Sequence, residues 1–250
     1  MSTVAQVMLS CTRQSTATQR TSLLNQNNYL PKDQDVISRR LFMIGLPLTL
    51  AACATGGRGR VAEGPMINPE YVAMYATPVN EPFHIPPVDL RRVDQQWWRQ
   101  QVEYASSEKP GTIVVDTPGH HLYLIEGGGT AMRYGIGVGR EEALQFKGQA
   151  SIGRKAEWPT WTPTANMIRR DPDRYAEFAS GLPAGPGNPL GPRALYLYKG
   201  GRDTYFRLHG TTEPYTIGTN VSSGCIRLMN QDIIDLYGRV PNGARVVVLS

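Results

Sequence analysis

From Gly111 onward the chain is cut into short apolar runs, too brief for most helices and rich in β-branched residues. They are Thr112-Ile113-Val114-Val115-Asp116, His121-Leu122-Tyr123-Leu124-Ile125 and Ala131-Met132-Arg133-Tyr134-Gly135-Ile136-Gly137-Val138. Pro118-Gly119 and Gly127-Gly128-Gly129 separate them, the punctuation of a β-meander. Ala194-Leu195-Tyr196-Leu197-Tyr198, Tyr205-Phe206-Arg207-Leu208-His209 and Arg245-Val246-Val247-Val248-Leu249 add three strands, the last entered through an Asn242-Gly243 turn. One helix interrupts them: Asn230 is a candidate cap, Asp232 lies in its first turn, and Ile233, Leu236, Tyr237 and Val240 recur at helical spacing before Pro241. The pattern predicts a mainly β domain over residues 111–250.

Two regions lack this rhythm. Residues 54–88 are rich in Gly and Pro and read as a tether that partly lies on the domain, followed by a short amphipathic helix between Asp89 and Ser106 carrying Leu90, Val93, Trp97 and Val102. Residues 140–192 read as a long irregular insertion, containing Trp158-Pro159-Thr160-Trp161 and Pro183-Ala184-Gly185-Pro186-Gly187. An insertion of that length in a compact domain is usually a lid or a binding loop.

The start of the chain reads as an export signal over residues 1–52. Ser38-Arg39-Arg40-Leu41-Phe42 is a twin-arginine pattern, and the apolar run from Leu41 to Ala52 is too short to span a bilayer. It ends in Leu50-Ala51-Ala52-Cys53, which resembles a bacterial lipobox and implies cleavage before Cys53 with lipid on that thiol; residues 53–110 then form the tether and short helix. The expected location is periplasmic, with a lipid anchor at the membrane. The leader carries five basic and two acidic residues, so most of the formal net charge of +5 leaves with it and about +2 remains. That balance does not argue for nucleic acid.

The chemistry concentrates in Leu208-His209-Gly210-Thr211 and Ser222-Ser223-Gly224-Cys225-Ile226-Arg227-Leu228. A thiol attacks a carbonyl as thiolate, so a working cysteine needs a base or a field that lowers its pKa. His209 is the candidate base, and Arg227 and the helix opening near Asn230 are candidate sources of positive field. Gly224 permits a sharp turn before the sulfur, and amides of Ser223, Gly224 and Cys225 are candidates for an oxyanion hole. With Cys11 in the leader and Cys53 lipidated, Cys225 has no disulfide partner, and an unpaired thiol in an oxidising compartment is a liability unless used.

Other signals are weaker. His120 and His121 point to opposite faces of a strand and are poorly placed to share an ion, so no metal is expected. Gly135-Ile136-Gly137-Val138-Gly139 has the wrong glycine spacing for a dinucleotide loop and no helix after it. Ser222, Arg227, Tyr134, Trp158 and Trp161 are the candidates for substrate contact, although the aromatic side chains fit a core equally well.

Taken together, Ile113-Val114-Val115-Asp116, Tyr134 to Gly139, Asn188-Pro189-Leu190-Gly191, His209-Gly210-Thr211, Ile217-Gly218 and Ser222 to Leu228 resemble the L,D-transpeptidase catalytic domain, the YkuD family, over about Pro110 to Leu249. The resemblance implies a β-sandwich with one helix beside the site and a lid-like insertion. It implies Cys225 as nucleophile, His209 as general base and acid, and the Gly210 carbonyl as the group orienting the imidazole. The implied substrate is a peptidoglycan tetrapeptide stem, cleaved before its terminal D-alanine through a thioester and transferred to an amine of another stem or of an envelope protein. Because the thioester conserves the energy of the broken bond, the implied reaction needs no cofactor. A hydrolase on the same site, an L,D-carboxypeptidase or amidase, and an inactive wall-binding lipoprotein are the alternatives. Many members carry histidine where this chain has Ser223.

Overall fold

The computed structural model describes residues 66–141 and 145–249. The twin-arginine segment, the lipobox-like run and Cys53 lie outside the described residues.

In chain order the strands are β1 (Gln100–Glu103), β2 (Ile113–Asp116), β3 (His121–Ile125), β4 (Thr130–Gly135), β5 (Val138–Gly139), β6 (Gly148–Glu157), β7 (Arg193–Lys199), β8 (Arg202–His209), β9 (Asn220–Ser222), β10 (Ile226–Arg227) and β11 (Arg245–Leu249). The helices are α1 (Pro69–Met74), α2 (Ala165–Arg170), α3 (Pro172–Tyr175) and α4 (Asn230–Arg239). Among the described residues nine strands form one mixed sheet, in the order β1-β4-β3-β2-β11-β6-β7-β8-β10, and β5 pairs with β9 in a second.

Beyond β4, the Gly137 amide donates to the Arg227 carbonyl at 2.9 Å and the Arg227 amide donates back to Gly137 at 2.8 Å, so edge strand β10 is tied to the segment joining β4 and β5. The strands share one core. Ile113, Leu122, Tyr134, Ile152, Leu195, Leu208 and Val246 are fully buried there, together with Ile233 and Leu236 of α4. Each large apolar side chain removed from water contributes roughly 1.5–3 kcal/mol, so this shared core is the main source of the sheet's stability.

The expected meander, the strands on either side of the insertion and the last strand are all present. Three expectations are corrected. The segment between Asp89 and Ser106 is not a helix. Asp89 does cap a turn, accepting from the Arg91 amide, but only two short 3-10 turns form before β1 pairs with β4. The insertion is shorter than expected, because Gly148–Glu157 is a ten-residue strand paired to β11 on one side and β7 on the other. Its own residues have weak β preference, and pairing on both sides overrides that. Asn230 does not cap α4: the cap is Met229, and the Asn230 side chain accepts from the Thr211 amide at 2.9 Å.

The lead-in packs tightly on the domain. Tyr75, Leu90, Val93 and Trp98 form a second apolar cluster with Ile217 and Met229. Trp97 fits where Gly135 and Gly218 have no side chain; a Cβ at either position would come within 2.5 Å of a Trp97 atom.

Candidate active site

β8 and β10 run parallel, with Ile226 opposite Leu208 and Arg227 opposite His209. Ile226 and Leu208 face the core, so alternation turns His209 and Arg227 to the other face, along with Arg207. Cys225 sits on the bend just ahead of β10, and both its thiol and the His209 imidazole lie in the field of Arg207 and Arg227.

The imidazole is firmly held. His209 is 4% exposed, and its Nδ1 donates to the Gly210 carbonyl at 2.6 Å. A carbonyl can only accept, so Nδ1 carries the proton and Nε2 of the neutral ring keeps its lone pair. Burial is the largest influence on its pKa, followed by Arg227, and together they push it down to about 3 against the pull of the Gly210 and Pro189 carbonyls.

Two glycines make room for this arrangement. Gly210 and Gly191 lie back to back, and a Cβ on either would come within 2.6 Å of Asn230 Oδ1. With no Cβ there, the Asn230 amide reaches the Thr211 N–H, while Gly210 N–H donates to the Leu190 carbonyl at 2.9 Å. Asn188 completes the support: its Nδ2 donates to the Pro159 and Pro183 carbonyls, and its Oδ1 accepts from the Leu190 amide. The Asn188–Gly191 and His209–Thr211 motifs are thus two halves of one scaffold.

Cys225 is half-buried on a bend, with Sγ 3.9 Å from the Tyr205 carbonyl. Burial raises its pKa, while a backbone hydrogen bond at Arg207 and the charges of Arg207 and Arg227 oppose the rise. The expected lowering by positive groups is present but is outweighed by burial. The bend is clamped by Ser222, whose Oγ accepts from the Gly224 amide at 3.1 Å and donates to the Cys225 carbonyl. Gly224 itself has φ +133°.

Several candidates stand elsewhere than expected. Tyr134 is wholly buried in the core and donates to Asp235 on α4 at 2.7 Å, so it cannot touch a substrate. Ser222 is 2% exposed and serves the bend instead of a ligand. The Gly224 amide is engaged by Ser222 Oγ, which leaves the Ser223 and Cys225 amides as the oxyanion candidates. Trp158 faces the lead-in, donating from Nε1 to Glu81 at 2.7 Å and packing on Phe83. Trp161 packs on Tyr175 and Phe178 inside the insertion. Arg227 pairs with Glu213 at 2.8 Å beside His209.

Sequence reasoning passed over Tyr175, whose hydroxyl is 2.7 Å from Ser223 Oγ, and Tyr205, an exposed aromatic at φ +63° whose carbonyl faces the thiol. Neither carries a motif. A left-handed conformation at a bulky residue cannot be read from its identity.

A family model of the L,D-transpeptidase catalytic domain, YkuD, matches residues 110–248. The "Probable L,D-transpeptidase ErfK/SrfK" of Escherichia coli (strain K12) is 36% identical over 153 residues, which cover 60% of this chain and 47% of that protein. Its Salmonella typhimurium counterpart is 38% identical over 141 residues, 55% of this chain and 43% of the other. The chain thus spans somewhat under half the length of these relatives. A crystal structure from Brucella melitensis described as a "Probable carnitine operon oxidoreductase caia" is 50% identical, with a TM-score of 0.44, and covers 64% of this chain and 99% of that one.

Proposed function

The chain belongs to the L,D-transpeptidase catalytic-domain (YkuD) family, and on that premise we propose that it is a cysteine acyltransferase acting on peptidoglycan stem peptides in the periplasm. The observation that supports this reading is the β8–β10 register, which sets Arg227 opposite His209 with Cys225 two residues ahead of Arg227, together with the Gly210 carbonyl that accepts from Nδ1 and leaves Nε2 basic.

In the proposed reaction the Cys225 thiol gives its proton to His209 Nε2 as the sulfur attacks the carbonyl of the third stem residue. The Ser223 and Cys225 amides face the developing oxyanion. The tetrahedral adduct collapses by breaking the bond to the terminal D-alanine, whose nitrogen takes the proton from His209, and a thioester remains. An acceptor amine then attacks the thioester and passes its proton to His209. The departing thiolate recovers that proton, restoring the resting pair. The acceptor is a neighbouring stem or an envelope protein, and Cys53 is the proposed lipid attachment point after export by the twin-arginine signal.

The test is incubation of the protein with purified tetrapeptide muropeptides, with products read by mass. Cross-linked dimers support the transfer reading. Tripeptides alone replace it with hydrolysis, and no turnover by a folded protein rejects both.

A further inference from the structure

The insertion between β6 and β7 is closed at its base and reaches Ser223, on the bend that carries Cys225, at its tip. At the base the Trp158 amide donates to the Pro192 carbonyl at 2.7 Å. Glu81, from the lead-in, grips both stems: Oε2 accepts from Trp158 Nε1, and the carboxylate pairs with Arg193 at 2.6 and 3.0 Å. Along its length Trp161 and Leu182 exchange backbone hydrogen bonds of 3.0 and 2.7 Å, so the excursion is braced across its middle. Near the tip Tyr175, 8% exposed and flanked by Trp161, sets its hydroxyl 2.7 Å from Ser223 Oγ.

Within the Ser222–Cys225 bend, the Ser223 side chain points to the insertion and that of Cys225 to β8. Ser222 Oγ is engaged inside it, and Gly224 is backed by β5, where a Cβ on Gly139 would stand 3.2 Å from the Gly224 Cα. The bend is therefore held from within by Ser222, from behind by Gly139 and from the insertion by Tyr175.

We propose that Tyr175 is a positioning residue for the nucleophile: through Ser223 it latches the insertion onto the bend that carries Cys225, fixing the bend's amides and limiting access of water to the thiol. The inference rests on the acyltransferase reading for its catalytic consequence, but not for its effect on the thiol itself. Burial is the largest influence holding the thiol protonated, so releasing the latch makes Cys225 more reactive toward a small reagent while making catalysis worse.

The experiment compares wild type with Tyr175→Phe, Ser223→Ala and the double variant, each removing one hydroxyl or both. Two quantities are read: the second-order rate of Cys225 alkylation by iodoacetamide, and kcat and KM on tetrapeptide muropeptides. Each single variant is expected to alkylate at least about threefold faster and to lose about tenfold in kcat with KM little changed, as for a loosened reaction geometry. The double variant is expected to match the single ones, because both remove the same bond. Alkylation rates equal to or below wild type, or effects that add in the double variant, overturn the proposal. If wild type turns over no tetrapeptide while the alkylation cycle behaves as described, the latch stands and the functional reading falls. If wild type is active and alkylation does not move, the functional reading stands and the latch falls.

Discussion

Arg227 stands directly opposite His209 across the parallel β10–β8 pair, and its charge acts on both the imidazole and the neighbouring thiol. On the imidazole it disfavours protonation; on the thiol it favours the anion. The first effect opposes proton transfer from sulfur to nitrogen and the second assists it, while burial holds each group neutral at rest.

Cys225→Ala is expected to abolish turnover of tetrapeptide muropeptides and leave the melting temperature nearly unchanged, because the side chain is half-buried and small. His209→Ala should lower kcat by something like 10²–10⁴-fold, the range for a lost general base. Surviving activity in the first variant, or a loss under threefold in the second, would remove these residues from the chemistry.

The pH behaviour follows from the same two groups. With the thiol raised by burial and the imidazole held down to about 3, iodoacetamide alkylation of Cys225 should rise through a midpoint above the ordinary ~8.5 of a free thiol. The His209 limb of the kcat/KM profile should lie well to the acid side of 6.5. An alkylation midpoint below neutrality would instead mean a resting thiolate–imidazolium pair.

Two buried groups tilt stability in opposite directions. His209, lowered from 6.5 to about 3, contributes stability that is full above 6.5 and is lost as pH falls through that window. Asp232, wholly buried beside Tyr75 and Arg99, is raised from 3.8 to about 7, so its contribution is full below 3.8 and is lost as pH rises toward 7. Relative to wild type, Asp232→Asn should therefore gain stability with rising pH, by up to about 1.4 kcal/mol per unit across that window. Urea unfolding at pH 5 and pH 8 checks this; an identical difference at both pH values would contradict it.

Glu81→Gln removes the charge that grips both stems of the insertion. Its Arg193 partner is nearly buried and would keep only the longer 3.8 Å pairing with exposed Glu157, so the protein should be destabilised by about 1–3 kcal/mol. Limited proteolysis should at the same time cut the insertion faster than the sheet. Unchanged cleavage between Trp158 and Pro192 would show that the lead-in does not brace it.

Much of this architecture is legible in the chain. Ile113 to Asp116, His121 to Ile125, Ala194 to Tyr198 and Arg245 to Leu249 carry β-branched or aromatic residues at strand spacing, and those strands form where the spacing puts them. β6 is hidden because Gly148, Gly153, Arg154 and Lys155 have little preference of their own, and only partners from distant parts of the chain make the segment extended. At the site, His209 and Cys225 are announced by their glycine-rich surroundings. The work of Asn230, Tyr175 and Glu81 is not, because each acts on a residue far away in sequence, a relation that local pattern does not record. Tyr134 misleads for the opposite reason: a tyrosine reads the same whether it lines a groove or fills a core.

β11 lies between β2 and β6, paired to both, although the ribosome makes it after every other strand described. Until those residues emerge, two interior strands must wait with open edges, so nascent chains stalled short of Arg245 are exposed to mispairing with one another. Completion of the sheet is then a slow, late, long-range event, and chaperone binding during synthesis should persist until the final turn has cleared the exit tunnel.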